Sequence, residues 1–207
     1  MHVRPITPAL LAAEAVERIA ALPGRWHRVA VDGALSEDTA AFADGLVEPL
    51  RARGHQVVRV RLADYVRPAS LRLEHGRRDP DSFHDDWFDF DAVRREVLDP
   101  LADGGTGSVL PALWDAEHDR SPRLPRVALN PGGAAIVDGP LLLGGLPFDF
   151  AAHLWLSPAA LRRRMPPEEH WTLPAFERYA AEVAPQHRAD LLVRTDHPDK
   201  PAIIDQW

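Results

Sequence analysis

Apolar positions recur in two rhythms along this chain, and their alternation predicts a layered α/β domain. Residues 9–22 are apolar but interrupted by Glu14, Glu17 and Arg18, the pattern of an amphipathic helix with one solvated face. Residues 26–33 form a continuous apolar run that stops at Gly33 and reads as a buried strand. Over residues 39–53 the apolar side chains Phe42, Leu46, Val47 and Leu50 return at helical spacing, and Gly54 stands where a C-terminal cap is wanted. Residues 55–62 are a second strand. Strand, helix and strand in this succession make a βαβ unit, which requires parallel strands joined by a right-handed crossover.

Residues 64–89 follow neither rhythm and read as a long functional loop or a cover over the sheet edge. Helical spacing returns over 90–101; then Pro111, Pro122 and Pro125 forbid a continuous element across 104–126. Residues 134–137, ending at Asp138-Gly139, and residues 151–156 read as buried strands. Ser157 caps a helix with Pro158 in its first turn, running through Arg162, Arg163 and Arg164. A further helix is expected over 174–183 and a closing strand over 190–194. The fold class is α/β, a three-layer domain with a mostly parallel sheet spanning 25–207, on which residues 1–24 pack as an N-terminal helix.

Composition narrows the chemistry. The 207 residues are 45% hydrophobic, enough for a real core, and 24 basic against 31 acidic side chains give a net charge of −7. Neither nucleic acid nor an anionic membrane is an expected partner for such a surface. The absence of cysteine excludes a disulfide framework, a thiolate zinc site and a cysteine nucleophile together. No basic start followed by a small-residue cleavage pattern precedes the first helix, so a cytoplasmic location is expected. Lys200 is the only lysine, so arginine is the cation available to any phosphate site.

The first strand runs into Val31-Asp32-Gly33-Ala34-Leu35-Ser36-Glu37-Asp38-Thr39-Ala40, where a phosphate-binding loop would read Gly-x4-Gly-Lys-Ser/Thr. Gly33 matches the first glycine. Asp38 replaces the second, Thr39 the lysine and Ala40 the magnesium-binding hydroxyl. A phosphate cradle needs backbone N–H groups and a cation, and Glu37 and Asp38 bring the opposite charge. The same residues suit a helix that caps itself, with Ser36 as N-cap and acids in the first turn.

Later segments resemble the uridine kinase family, in order, over roughly residues 27–197. Leu62-Ala63-Asp64-Tyr65-Val66-Arg67-Pro68 is similar to the family's Asp-Asp-Phe-His-Arg-Pro segment. His84-Asp85-Asp86-Trp87-Phe88-Asp89 is similar to its ribose-contacting stretch. Ala135-Ile136-Val137-Asp138-Gly139 resembles its acid-glycine strand end, Leu161-Arg162-Arg163-Arg164 its arginine-bearing lid, and Glu177-Arg178-Tyr179 with Pro185 and Ala189-Asp190 its closing pattern. The resemblance implies a P-loop-type fold and ATP-dependent phosphotransfer to a nucleoside or similar hydroxylated molecule, with ATP and magnesium as cofactors. It implies Asp64, Asp138 and Arg164 as catalytic candidates and Asp86, Asp89, Arg67 and Arg163 as substrate-binding ones. Gly33, Ser36, Asp38 and Thr39 mark the degenerate phosphate loop. The family's base position is Ala63 here, with Asp64 one place along, and Met165-Pro166-Pro167-Glu168-Glu169 replaces the lid's further Arg-Asp.

Asp85, Asp86, Asp89 and Asp91, with His84, have the ligand types that magnesium or manganese prefers, but their spacing is not that of a calcium loop. They read as a solvated acidic turn leading into a helix, and no metal site is assigned. Asp115, His118 and Asp119 form at most a binding wall. Arg162, Arg163 and Arg164, about 100° apart, cannot all face one ligand. Two functions remain open: a divergent phosphotransferase in which arginine substitutes for lysine, or a non-kinase that keeps the nucleoside-type pocket. An arginine at the phosphate site favours the first, and an acid-filled loop the second. Asp64 and Asp138 are expected to converge on one cleft, where mutual repulsion lifts at least one above the ordinary aspartate range.

Overall fold

Five of the apolar runs lie side by side as the parallel centre of one sheet in the computed structural model, which describes residues 2–205 apart from the side chains of Ser36 and Glu37. From one edge to the other the strands, numbered in chain order, are β1 (His2–Pro5), β9 (Ala202–Asp205), β8 (Leu191–Arg194), β7 (Phe150–Trp155), β2 (Trp26–Gly33), β6 (Gly133–Gly139) and β3 (Val57–Arg61). β2 is parallel to both its neighbours, β6 and β7; β3 continues parallel to β6 and β8 to β7. β9 and β1 then add in antiparallel fashion at the far edge. A separate two-stranded ribbon pairs β4 (Ser108–Val109) with β5 (Val127–Ala128).

Alternation along the strands builds the two outer layers. Val29, Val31, Ile136 and Leu154 face helices α1 (Pro8–Ala20) and α2 (Ser36–Ala52), which contribute Val16, Ile19, Leu46 and Leu50 to that core. Ala30, Val60 and Val137 face the opposite layer, with Tyr65, Phe88, Val93 and Leu98. That layer holds the short helices α3 (Ala69–Arg72), α4 (Pro80–Asp85) and α5 (Phe90–Val93), the last continued by a π turn and a 3-10 turn to Leu101. Helix α7 (Leu173–Glu182) completes it, burying Phe176 and Tyr179, and α6 (Pro158–Arg164) precedes α7 in the chain. Ser157 caps α6 as expected, accepting from the Ala160 N–H at 3.3 Å. Gly54 takes the left-handed backbone, φ +89°, that ends α2.

Four sequence expectations are corrected. The closing strand is β9, not β8, and residues 2–5 are an edge strand; runs of four residues carry too little periodicity to be read. Residues 64–89 are not one loop, because Asp79 caps α4 through the Ser82 N–H at 2.7 Å and Pro80 occupies its first turn. Helix α2 begins at Ser36 instead of residue 39, and its capping position is Leu35, whose side chain accepts no hydrogen bond. Ser36 is therefore the first helical residue and not the cap. A loop lacking its second glycine has no residue suited to left-handed backbone, so the helix propagates back toward Gly33.

Candidate functional site

The carboxyl ends of the parallel strands are where open α/β sheets gather ligands, and here they bring two different neighbourhoods to one edge. In the first, only Ala34 and Leu35 separate β2 from α2. Arg164, the last residue of α6, reaches across to this helix start. Its Nη2 donates to Asp38 Oδ1 at 3.0 Å and stands 2.8 Å from Oδ2, while Nη1 donates to the Thr195 carbonyl at 2.6 Å. Thr39 is fully buried, and a Cβ placed on Gly33 would stand 3.0 Å from its Cγ2 and 3.2 Å from Leu154 Cβ. Gly33 is thus closely packed, and a side chain there would have to displace Thr39 or Leu154 by a few tenths of an ångström. The lid arginine and the loop acid are both present, and they satisfy each other.

A triphosphate does not fit this arrangement. Asp38 occupies the cation that phosphate would need, and a threonine side chain packs where the lysine would emerge. Among the described residues no group of three or more His, Asp or Glu side chains is placed to hold a metal ion. The other two arginines diverge as their helical spacing requires: Arg163 donates to the Asp196 carbonyl at 3.2 Å and Arg162 lines a cavity on the far side of α6.

The second neighbourhood lies beyond β3 and β6. Asp64 sits in the 3-10 turn Leu62–Tyr65, and its carbonyl accepts the N–H groups of Leu113 and Trp114, each at 2.9 Å, which fixes the turn. Its carboxylate is half-buried and makes no hydrogen bond among the described residues. Burial raises its pKa above the ordinary value, the Arg61 guanidinium opposes this, and the charges of Asp138 and Asp115 add to it. Asp138 therefore lies within electrostatic reach of Asp64. Its own carboxylate turns toward α2, on the same face as Ile136, and accepts from Arg59 Nη2 at 2.8 Å. Arg59 in turn donates from Nε to Asp44 of α2 at 2.9 Å, so Asp138 braces the sheet against the helix. Burial also raises Asp138 above the ordinary aspartate value, outweighing Arg59.

The remaining acids on this side are committed internally. Asp86 pairs with Arg67 at 3.0 Å, and Asp85 with His84 and Arg178 at 2.6 and 2.7 Å. Asp89 caps α5 by accepting from the Ala92 N–H at 2.9 Å. Asp115 holds His118 at 2.7 Å, and Asp119 accepts from the Ala69 N–H and Trp114 Nε1 at 2.8 and 3.0 Å. Phe83, Trp87 and Trp171 cluster nearby, Phe83 edge-on to Trp171 and both tilted against Trp87, with Arg72 5.6 Å above the Trp87 ring. Among these carboxylates Asp64 has a vacant hydrogen-bonding capacity.

One cluster was not singled out from sequence. Asp32, wholly buried at the end of β2, accepts the Leu142 N–H at 2.9 Å, His153 Nδ1 at 2.6 Å and the Tyr179 hydroxyl at 3.2 Å. Burial, reinforced by the Asp32 charge, pushes the Tyr179 phenol well above its usual range. Asp32 and His153 are register partners on adjacent parallel strands. The available signal was a polar residue inside each of two apolar runs, which becomes informative only once β2 is known to pair with β7.

No family model and no curated protein matches the sequence. Solved structures do match its architecture. A possible uridine kinase from Bacillus stearothermophilus superimposes with a TM-score of 0.70 at 17% identity, covering 88% of this chain and 96% of that one. A candidate fructose transport system kinase from Silicibacter sp. TM1040 gives 0.54 at 20% identity, covering 89% and 95%. The structural neighbours of this chain are thus uridine kinase and related P-loop kinases, and it shares their fold: a mostly parallel seven-stranded sheet flanked by helices.

Proposed function

We propose that this chain binds a small hydroxylated molecule of the nucleoside or sugar class at the strand ends beside Asp64, and that phosphoryl transfer to that molecule is the reaction its fold serves. The observation that carries the reading is the Asp64 carboxylate, half-buried and without a hydrogen-bond partner among the described residues. A desolvated acceptor of this kind is stabilised by a hydroxyl that donates to it, and its raised pKa suits a group that takes a proton from that hydroxyl. The kinase fold of the neighbours supports the same class of substrate. ATP with magnesium is the donor that likeness suggests, but the phosphate loop in this conformation holds Asp38 against Arg164, so Arg164 must leave Asp38 before it can meet a phosphate.

That ion pair favours a second reading, in which the molecule is bound without phosphoryl transfer. Calorimetric titration with a panel of ribonucleosides, pentoses and hexoses tests the shared premise. At least one class should bind the protein, and Asp64→Asn should weaken it about tenfold, the value of one hydrogen bond to a charged acceptor. Absence of binding across the panel, or binding indifferent to Asp64→Asn, would overturn it. Product formation with ATP and magnesium then separates the two readings.

A further inference from the structure

On the other side of β2 from Asp64, the carboxyl ends of β2 and β7 and the helices α6 and α7 enclose a cavity of about 660 Å³. Its walls are mainly apolar, from Leu154, Leu161, Leu173 and Phe176, and Arg162 and Glu177 are among its lining residues. This size and lining are those of small-molecule sites, which combine an apolar body with a few fixed polar groups. The fixed polar group here is His153. It is 7% exposed, lines the cavity, and has its Nδ1 anchored on Asp32, which is itself held by the Leu142 N–H and the Tyr179 hydroxyl. Nδ1 is committed to Asp32, and the other ring nitrogen, Nε2, has no hydrogen-bond partner among the described residues.

We propose that this cavity is a second small-molecule site, taking an apolar ring compound whose single hydroxyl hydrogen-bonds His153 Nε2. The site goes beyond the acceptor cleft proposed above, since neither Asp64 nor Asp86 lines it. Asp32 is a positioning residue: it fixes the orientation of the ring that meets the ligand. The apolar walls reject a nucleoside-like molecule, whose several hydroxyls would lose water without finding partners.

The test is titration of the full chain with 2-naphthol and with naphthalene, followed by calorimetry and by the ring ¹⁵N resonances of His153. For a ligand of this size the expected Kd of 2-naphthol is about 1 mM or tighter. Its hydroxyl should make it about tenfold tighter than naphthalene, with a shift of the His153 resonances. Leu161→Trp adds bulk to the cavity from α6 and should abolish binding. His153→Phe should reduce 2-naphthol to the affinity of naphthalene; should that variant not fold, the naphthalene comparison and Leu161→Trp still decide. No binding of 2-naphthol, equal affinity for the two compounds, or binding unchanged by Leu161→Trp would overturn the proposal.

Discussion

The two neighbourhoods at the strand ends use the same residue type in opposite ways. On the β2 and β7 side, Asp32 and Asp38 are each matched by groups of this chain: a histidine, a tyrosine and a backbone N–H for the first, an arginine for the second. On the β3 side, Asp64 is half-buried with no side-chain hydrogen bond among the described residues. A matched carboxylate contributes to folding, whereas an unmatched one costs stability until a ligand supplies the missing donor. The difference teaches that the carboxylates at the end of β2 and at the start of α2 are turned inward into structure, while Asp64 beside β3 is not.

Removing carboxylates one at a time sharpens the contrast. Asp32→Ala strands His153, the Tyr179 hydroxyl and the Leu142 N–H in a buried place, and should destabilise the protein by about 3–5 kcal/mol in urea unfolding. A loss below about 1 kcal/mol would show that water satisfies the cluster instead. Asp86→Ala should weaken a bound nucleoside or sugar by about 1.5–3 kcal/mol in calorimetry if a ligand hydroxyl shares Asp86 with Arg67, its Oδ1 alone being engaged at 3.0 Å. Unchanged binding would confine Asp86 to its ion pair with Arg67. Asp38→Ala removes both the pair with Arg164 and a negative charge from the first turn of α2, and should cost about 1–2 kcal/mol of stability.

The smallest effect concerns pH. Because the folded pKa of Asp64 is raised, the folded protein holds that proton more tightly than the unfolded chain, so the group costs most above its folded pKa. Asp64→Asn should therefore be slightly more stable than the parent at pH 7. That advantage should shrink as the pH falls through the folded pKa toward the ordinary aspartate value. A stability difference that does not vary with pH would mean that Asp64 finds a donor in solution.

Sequence periodicity reached the central architecture because buried parallel strands are near-continuous apolar runs, and 26–33, 134–137 and 151–156 are runs of that kind. It did not reach β1 and β9, which gain their identity from pairing with each other. The reversal of charge at Asp38 was legible as soon as the loop was set beside its motif. That Arg164 closes on Asp38 was not, since 126 positions separate them and only the fold brings α6 over the start of α2. Asp138 shows the converse: its strand-end position was readable, but its commitment to Arg59 depends on which face of β6 it occupies.

The claim that the Asp38–Arg164 pair closes the start of α2 to phosphate meets its most direct test in calorimetry of ATP with magnesium on the wild type and on Asp38→Gly combined with Thr39→Lys. The wild type should bind no tighter than about 100 μM, because the cation that would hold the phosphates is already paired. The double substitution frees Arg164 and restores both the glycine and the lysine, and should tighten binding by about tenfold or more. A low-micromolar, magnesium-dependent site in the wild type would contradict the claim, and so would a double variant with no gain.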